Sequence, residues 1–540
     1  MKKYIFLSAA LLLLTANCST NDDNNNEQRE ETQGVRFTIN EERFGADTEL
    51  TRSEVTAQPQ IIDVGDCEAE ISIENAPAEK QAATRSVTGP VHYTIRAYHN
   101  GALQGELKGT FTSTGFTPDA GYNTYMMLGK NRTYTFICFN DKVTPNGNNL
   151  EIALANAKDA RIGRQQITLT TVDQPINLSS KHAGCRIQTK VVAQKDMPAL
   201  TSTIESIGAT VAQNVSYDPT MDTYTPTATA TMPATTNNSS ASTEPKYTAS
   251  DHGKYYSYTS PAPYFYFLPG MDIANLKLNN LSGTIFWKPF DMNIAKLSTT
   301  SKQLEANGSY TIKIKMKPNY TYLMSDGTTG FFRETTYGGG TKTPIAIVLD
   351  KGKRMAMALK TAGRSTWCAT DLIYYHNKLT TRTVANLSDA LNGSATSGRD
   401  DTWNPSTTAS GYGIKANKPL IFKSFVTAAY YDPEVTYTGT PALQWYLPSH
   451  YDYTYIFPLG FGDRTTVTQA KSYEWYGNLF YTALTQVGGD TFNYLEWTST
   501  ECQSEYGGYD GGTVNIDRTI LSWSSGSRNY LYEVRSFAAY

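Results

Sequence analysis

The sequence predicts a mainly β protein that turns α+β toward its C-terminus, and three observations predict it. The 540 residues include 37 Tyr and 40 Gly, which, with abundant Thr and Asn, favours half-exposed pleated strands and polar turns over helices. Short segments of alternating apolar and polar residues, bounded by turn-forming residues, recur before residue 320. Helical signals gather only after residue 370, where they fall among further strands, as in an α+β domain. A chain this long exceeds one ordinary core, so several domains are expected.

Charge narrows the function classes. With 18% charged residues, a formal net charge of −3 and a pI near 6.1, the chain has no electrostatic pull toward nucleic acid, which is not an expected partner.

Residues 1–18 read as a secretion signal. Lys2 and Lys3 precede the apolar run Tyr4 to Leu14 and a small-residue exit that ends at Cys18. The run is too short to span a bilayer permanently. It resembles a bacterial lipoprotein signal, which implies acylation of Cys18 and, with several acyl chains, attachment to the outer membrane. Residues 19–33 are polar and acidic without apolar periodicity and read as a flexible tether.

The segment 34–178 opens with Val35-Arg-Phe-Thr-Ile39, whose alternation puts Val35, Phe37 and Ile39 on one face. Ala69 to Ile73 and Val91 to Tyr98 repeat the pattern, and the three are expected in one sandwich. Asn100-Gly101 and Asn146-Gly147 signal tight hairpin turns. Tyr134 to Phe139 is apolar on both faces, as a central strand is. The segment 179–318 starts near His182 to Lys190 and closes on Tyr310-Thr-Ile-Lys-Ile-Lys315, a strand with one wet face. Thr223 to Ser242 is Thr-, Ser-, Asn- and Pro-rich without periodicity and reads as a long surface loop. The segment 319–540 contains the buried-strand run Ile345 to Leu349 and three helix candidates: Asp371 to Leu379 after Thr370, Val384 to Leu391 after Thr383, and Tyr473 to Gln486.

Two resemblances follow from these residues. The run Y-T-F-I-C-F-N-D-K-V-T, with N-G-N-N-L after it, and the closing strand at Tyr310 to Lys315 resemble the fimbrillin superfamily of Bacteroidales pilins, whose two domains are transthyretin-like β-sandwiches. Near the C-terminus, Trp445-Tyr-Leu-Pro-Ser449, Trp497-Thr-Ser-Thr-Glu501 and Val534-Arg-Ser-Phe537 resemble Bacteroidetes domains with a C-type-lectin-like fold, related to the Fibrobacter major paralogous domain.

The fimbrillin resemblance implies assembly by donor-strand exchange, in which an extended strand of one subunit fills a groove of the next. The groove opens when a trypsin-like protease cuts after an arginine, for which Arg52 is the first candidate and Arg85 the second. The implied partners are that protease, other fimbrillin subunits, and a host or bacterial surface glycan or protein. A large extra C-terminal domain sits where a stalk subunit needs a free donor segment, so the resemblance favours a pilus tip subunit or adhesin. The alternative is a non-polymerising, glycan-binding surface lipoprotein.

Side-chain chemistry completes the reading. Beyond Cys18 there are five cysteines, without zinc-ligand spacing; Cys138, in the most apolar strand, reads as a buried thiol, and Cys368 with Cys502, both in the last segment, is the candidate disulfide. Ser449-His450 with Asp452 has the residue types of a hydrolytic triad, but such partners normally come from separate segments. Glu496 and Glu501 read as solvated strand-end carboxylates, and neither an enzyme nor a cofactor is expected. The E-P-N or Q-P-D and W-N-D loops of calcium-dependent lectins do not occur in the last segment, where Trp403-Asn404 is followed by Pro405; no metal site is expected. What remains is an aromatic, glycine-flanked surface: Trp475-Tyr476, and Tyr506, Tyr509 and Asp510 in Glu-Tyr-Gly-Gly-Tyr-Asp-Gly-Gly. Trp475 fits a core position as well as a ligand platform.

Overall fold

The protein is mainly β, as the alternation predicts. The computed structural model describes residues 32–45, 59–65, 67–75, 85–86, 89–243, 251–286, 288–369, 378–393, 397–493 and 495–540. They form two compact units, one within Met1–Asn40, Ser86–Cys138 and Gly163–Ser179, the other within Glu41–Arg85, Phe139–Ile162 and Ser180–Tyr540. Cys18 and Arg52 lie outside the described residues.

The first unit is built on one sheet. The strands Thr32–Glu41, Pro175–His182, Arg161–Thr168, Thr133–Asn140, Val91–His99, Ala102–Thr112 and Gly115–Pro118 neighbour one another in that order, and Met126–Gly129 pairs with the first, from Thr32↔Gly129 to Val35↔Met126. Val35, Phe37 and Ile39 are buried in one cluster with Tyr93, Leu107, Phe136 and Leu178. Strands far apart in the order thus share a core, so the sheet wraps around it. Phe37 meets Phe136 edge-on with ring centroids 5.4 Å apart. Asn100 and Gly101 both have positive φ (49° and 77°), as a type I′ turn requires.

The second unit contains a sandwich. One layer holds Tyr258–Phe267, Cys185–Ala193, Ser309–Pro318, Cys67–Asn75 and Gln60–Asp63, in that order; the other holds Thr235–Thr236, Thr201–Ser206, Leu276–Ile285 and Lys288–Ile294. Ile71, Ile187, Ile312 and Ile314 of the first layer pack with Ile204, Leu278 and Ile294 of the second. The strand Cys67–Asn75 therefore does not join Val35 to Ile39 and Val91 to Tyr98, as its sequence position suggests. It pairs antiparallel with Ser309–Pro318 from Cys67↔Pro318 to Asn75↔Tyr310. Alternation identifies a strand's buried face but not its sheet.

Two turn and loop expectations also shift. Asn146 pairs with Asn149, so the tight turn is Gly147–Asn148, one residue later than expected. The Thr-rich stretch is not one long loop: Thr223–Ala230 is an exposed edge strand against Val211–Asp218, and Thr235–Thr236 is a second short strand. With most of its side chains in water it has no apolar period to read.

The C-terminal part has two six-stranded sheets. The first runs Thr329–Phe331, Thr321–Met324, Pro344–Asp350, Met355–Ala358, Phe537–Ala539 and Gln444–Tyr446; the second runs Arg364–Ser365, Tyr532–Glu533, Glu496–Gln503, Tyr509–Ile516, Ile520–Gly526 and Ser472–Glu474. Helices Gly398–Trp403, Lys423–Ala429, His450–Tyr453 and Gly477–Thr485 accompany them. Of the helix candidates, Asp371 to Asn377 lies outside the described residues. Val384 to Leu391 contains only a short 3-10 turn, Leu387–Leu391, capped by Asn386 rather than Thr383. Tyr473 is in a strand, so the last helix starts at Gly477. The sandwich core continues into this part: Phe461 and Leu479 belong to it, and Phe461 stacks on Phe286 at 4.5 Å.

Candidate ligand-binding surface

The hairpin Glu496–Gln503 and Tyr509–Ile516 carries Tyr506 on its tip. Gln503 pairs with Tyr509, and the loop closes by Ser504 N–H donating to Gly508 O and Gly507 N–H to Ser504 O. Gly507 and Gly508 adopt φ of +81° and +105°, which side-chain-bearing residues rarely do. Tyr506 is 91% exposed. Gly511 and Gly512 serve packing instead: a Cβ there would come within 2.7 Å of Trp367 and 2.3 Å of His450.

Beneath the tip lies a buried charge pair. Arg528 Nη2 donates to Glu501 Oε1 at 2.6 Å, both side chains fully buried. Glu501 also accepts from Leu379 N–H (2.9 Å), Thr380 N–H (3.2 Å) and the Thr383 hydroxyl (2.6 Å). The guanidinium lies between Trp367 and Tyr509, 5.1 and 5.8 Å from their ring centroids. Tyr509 is a half-buried ring at the edge of cation–π reach of that guanidinium. Asp510 pairs with Cys502 across the hairpin, and its carbonyl accepts from Cys502 Sγ at 3.8 Å.

The neighbouring strand adds residues that sequence reasoning missed. Gly511 pairs with Gly526, so the loop after Gly526 emerges at the same end as the Tyr506 tip. It carries Tyr530 and Leu531, 52% and 50% exposed. Tyr530 meets Tyr532 at 5.6 Å, and Tyr532 meets the buried Trp497 at 4.7 Å. The alternating aromatics of Tyr530-Leu-Tyr532 were a usable signal. Tyr506, Tyr509, Tyr530 and Leu531 thus lie toward the same end of a three-stranded array.

Other expected site residues lie elsewhere. Trp475 is only 4% exposed; its indole donates to Asp517 O at 2.7 Å and it packs on Phe457 and Phe480, so it is core. Tyr476 is engaged inside the second unit, its ring 5.4 Å from His252 and 4.8 Å from the Lys195 ammonium, its hydroxyl 3.3 Å from Asp196. Cys368 and Cys502 are buried thiols in different apolar clusters, not a disulfide, and burial pushes the Cys502 thiol up to about 11.

The polar residues singled out in the sequence are structural. Ser449 caps the His450–Tyr453 helix, and Asp452 accepts from Ser449 N–H and Gly398 N–H. His450 faces Thr498 Oγ1 (2.9 Å) and Ser524 O (3.2 Å), with burial pushing its imidazole down to about 3. Glu496 and Glu501, expected in solvent, are both fully buried. Burial, opposed by Arg535 and reinforced by Glu533 and Asp490, pushes the Glu496 carboxyl up to about 8. Its two oxygens, and Nε and Nη2 of Arg535, have no hydrogen-bond partner among the described residues.

No family model matches the chain, and no curated protein matches it. Several solved Bacteroides structures are similar. A fimbrial protein from Bacteroides ovatus is 11% identical, with 95% of this chain and 100% of that chain covered at a TM-score of 0.21. A candidate cell adhesion protein from Bacteroides uniformis is 14% identical over 42% and 86%, TM-score 0.27. A fimbrial protein from Bacteroides vulgatus is 13% identical over 44% and 90%, TM-score 0.24.

Proposed function

We propose that this chain is an adhesive surface protein, a pilus tip subunit or adhesin, whose C-terminal part binds a surface glycan or protein without calcium. The observation that carries the reading is the aromatic end, where Tyr506 and Tyr530 are exposed toward the same end as Tyr509, a half-buried ring 5.8 Å from the guanidinium of the buried Arg528–Glu501 pair. Aromatic rings with polar handles suit sugar faces and protein surfaces alike, and a preorganised ring loses less freedom on binding. Glycan and protein arrays probed with the full mature chain, with and without a chelator, test it. Binding that survives the chelator and weakens with Tyr506→Ala and Tyr530→Ala is expected. Binding that needs a metal, or ignores both substitutions, overturns it.

The N-terminal strand supports processing of the pilin type. Val35, Phe37 and Ile39 each contribute roughly 1.5–3 kcal/mol of burial, so removal of their strand would leave an apolar groove open to a donor strand. Of the two candidate cuts, Arg52 fits better. Release of everything before Arg85 would also withdraw Cys67–Asn75 from the sandwich, with its nine paired positions and the buried Ala69 and Ile71. A cut after Arg52 leaves that strand in place. In this reading Cys18 anchors the precursor to the outer membrane, a trypsin-like protease makes the cut, and other fimbrillin subunits are the assembly partners.

A further inference from the structure

We propose that the strand Ser309–Pro318 is a shear-loaded clamp that lets the chain bear tension; the adhesive reading supplies its biological use, while the mechanics stand on strand register alone. The strand is central in its five-stranded layer. On one side it pairs parallel with Cys185–Ala193 over seven positions, Arg186↔Ser309 to Val192↔Lys315. On the other it pairs antiparallel with Cys67–Asn75 over nine.

The chain's entry and exit points decide how these ladders are loaded. From the residues of the first unit, the chain enters this layer at Cys185 and leaves it at Asn75, to return at Ser86; it also enters at Gln60, on the edge strand Gln60–Asp63, which does not pair with Ser309–Pro318. Cys185 and Asn75 lie where Ser309–Pro318 begins, Arg186 opposite Ser309 and Asn75 opposite Tyr310. Toward the C-terminal sheets and their aromatic end, the chain leaves from the opposite end, at Pro318, and Thr321–Met324 follows. Tension between the first unit and the C-terminal part therefore pulls the central strand one way and both neighbours the other.

Ladder hydrogen bonds run across the strands, perpendicular in the antiparallel ladder and slanted in the parallel one, so such a pull strains the pairs of both ladders together, whereas a pull from one end opens them in succession. The inner face reinforces the clamp: Ile312, Ile314 and Met316 are completely buried, so sliding the strand drags them through the core. The outer face adds cross-strand ion pairs, Lys313 to Glu74 at 2.9 Å and Lys317 to Glu70.

Single-molecule pulling in two geometries tests the clamp without altering the ladders. In the full chain with Cys18→Ser, one handle is attached at Ser113→Cys on an exposed turn of the first unit. The second is attached at Asn319→Cys, just past the strand, or at the exposed Glu305→Cys, just before it. At equal loading rate the Asn319 geometry is expected to need at least about twice the force of the Glu305 geometry to release the strand, because forced unfolding follows the rate of breaking the loaded contacts. A smaller ratio overturns the clamp. Loss of array binding would overturn the adhesive reading and leave this ratio untouched, so the two failures are distinguishable.

Discussion

Replacing Glu496 by glutamine should raise stability at neutral pH, and the gain should grow with pH. In the folded chain the carboxyl keeps its proton until about pH 8, against an ordinary value of 4.5, because burial outweighs the attraction of Arg535. Between those values the native state binds more protons than the unfolded state, so stability falls as pH rises. The cost accumulates at roughly 1.4 kcal/mol per pH unit, which gives about 3 kcal/mol by pH 7. A glutamine side chain would fill the same space and carry no such cost. Urea unfolding of the two proteins at a series of pH values measures the difference, provided the m-values agree. The curves should coincide near pH 4 and separate steadily to about pH 8. A constant gap across pH 5 to 8, or a more stable wild type at pH 7.5, would refute the reasoning.

Arg528→Met should cost about 3–5 kcal/mol in denaturant unfolding, because it leaves the Glu501 charge buried without its ion-pair partner; a loss below about 1 kcal/mol would show that the three donors remaining on Glu501 suffice. Cys18→Ser should abolish lipid labelling and release the protein from the membrane fraction, and unchanged labelling would remove the anchor. Protein sequencing of assembled pili should find an N-terminus after Arg52, and an intact Val35 to Ile39 strand there would remove strand exchange by this route. Tyr506→Ala should weaken ligand binding while leaving thermal unfolding unchanged, since the side chain is 91% exposed.

The fold class was legible because alternation and turn chemistry are local. Val35 to Ile39, Tyr134 to Phe139 and Tyr310 to Lys315 form strands with the expected faces buried, and Asn100-Gly101 makes its turn. Sheet membership was less legible, because it depends on partners far away in the chain. For Cys67–Asn75 a signal did exist: Glu68, Glu70 and Glu74 face the Lys313, Lys315 and Lys317 side of its true partner. At the candidate site, Tyr506 could be read from its glycines, but the engagement of Trp475 and Tyr476 could not, since an aromatic pair beside a turn has the same local pattern in a core as on a surface. The burial of Glu496 and Glu501 was illegible for a similar reason. Their compensating groups, Arg535 and Arg528, lie more than twenty residues away.

Tyr506 and Tyr509 are three positions apart, yet in the proposed site they would take different parts in binding. Tyr506 offers nearly its whole ring to a ligand but is free to rotate, so fixing it on binding costs on the order of 0.5–1.5 kcal/mol. Tyr509 is half-buried and has less freedom to lose, with Arg528, itself held by Glu501, 5.8 Å from its centroid. Truncating Tyr509 would also uncover that buried charge, so Tyr509→Ala mixes a stability loss with any binding loss, whereas Tyr506 and Tyr530 report binding alone. A site of this kind gains orientation from the ring nearest the core and contact area from the rings farthest from it. The buried ion pair, which need not add net stability, would in such a site help to position Tyr509.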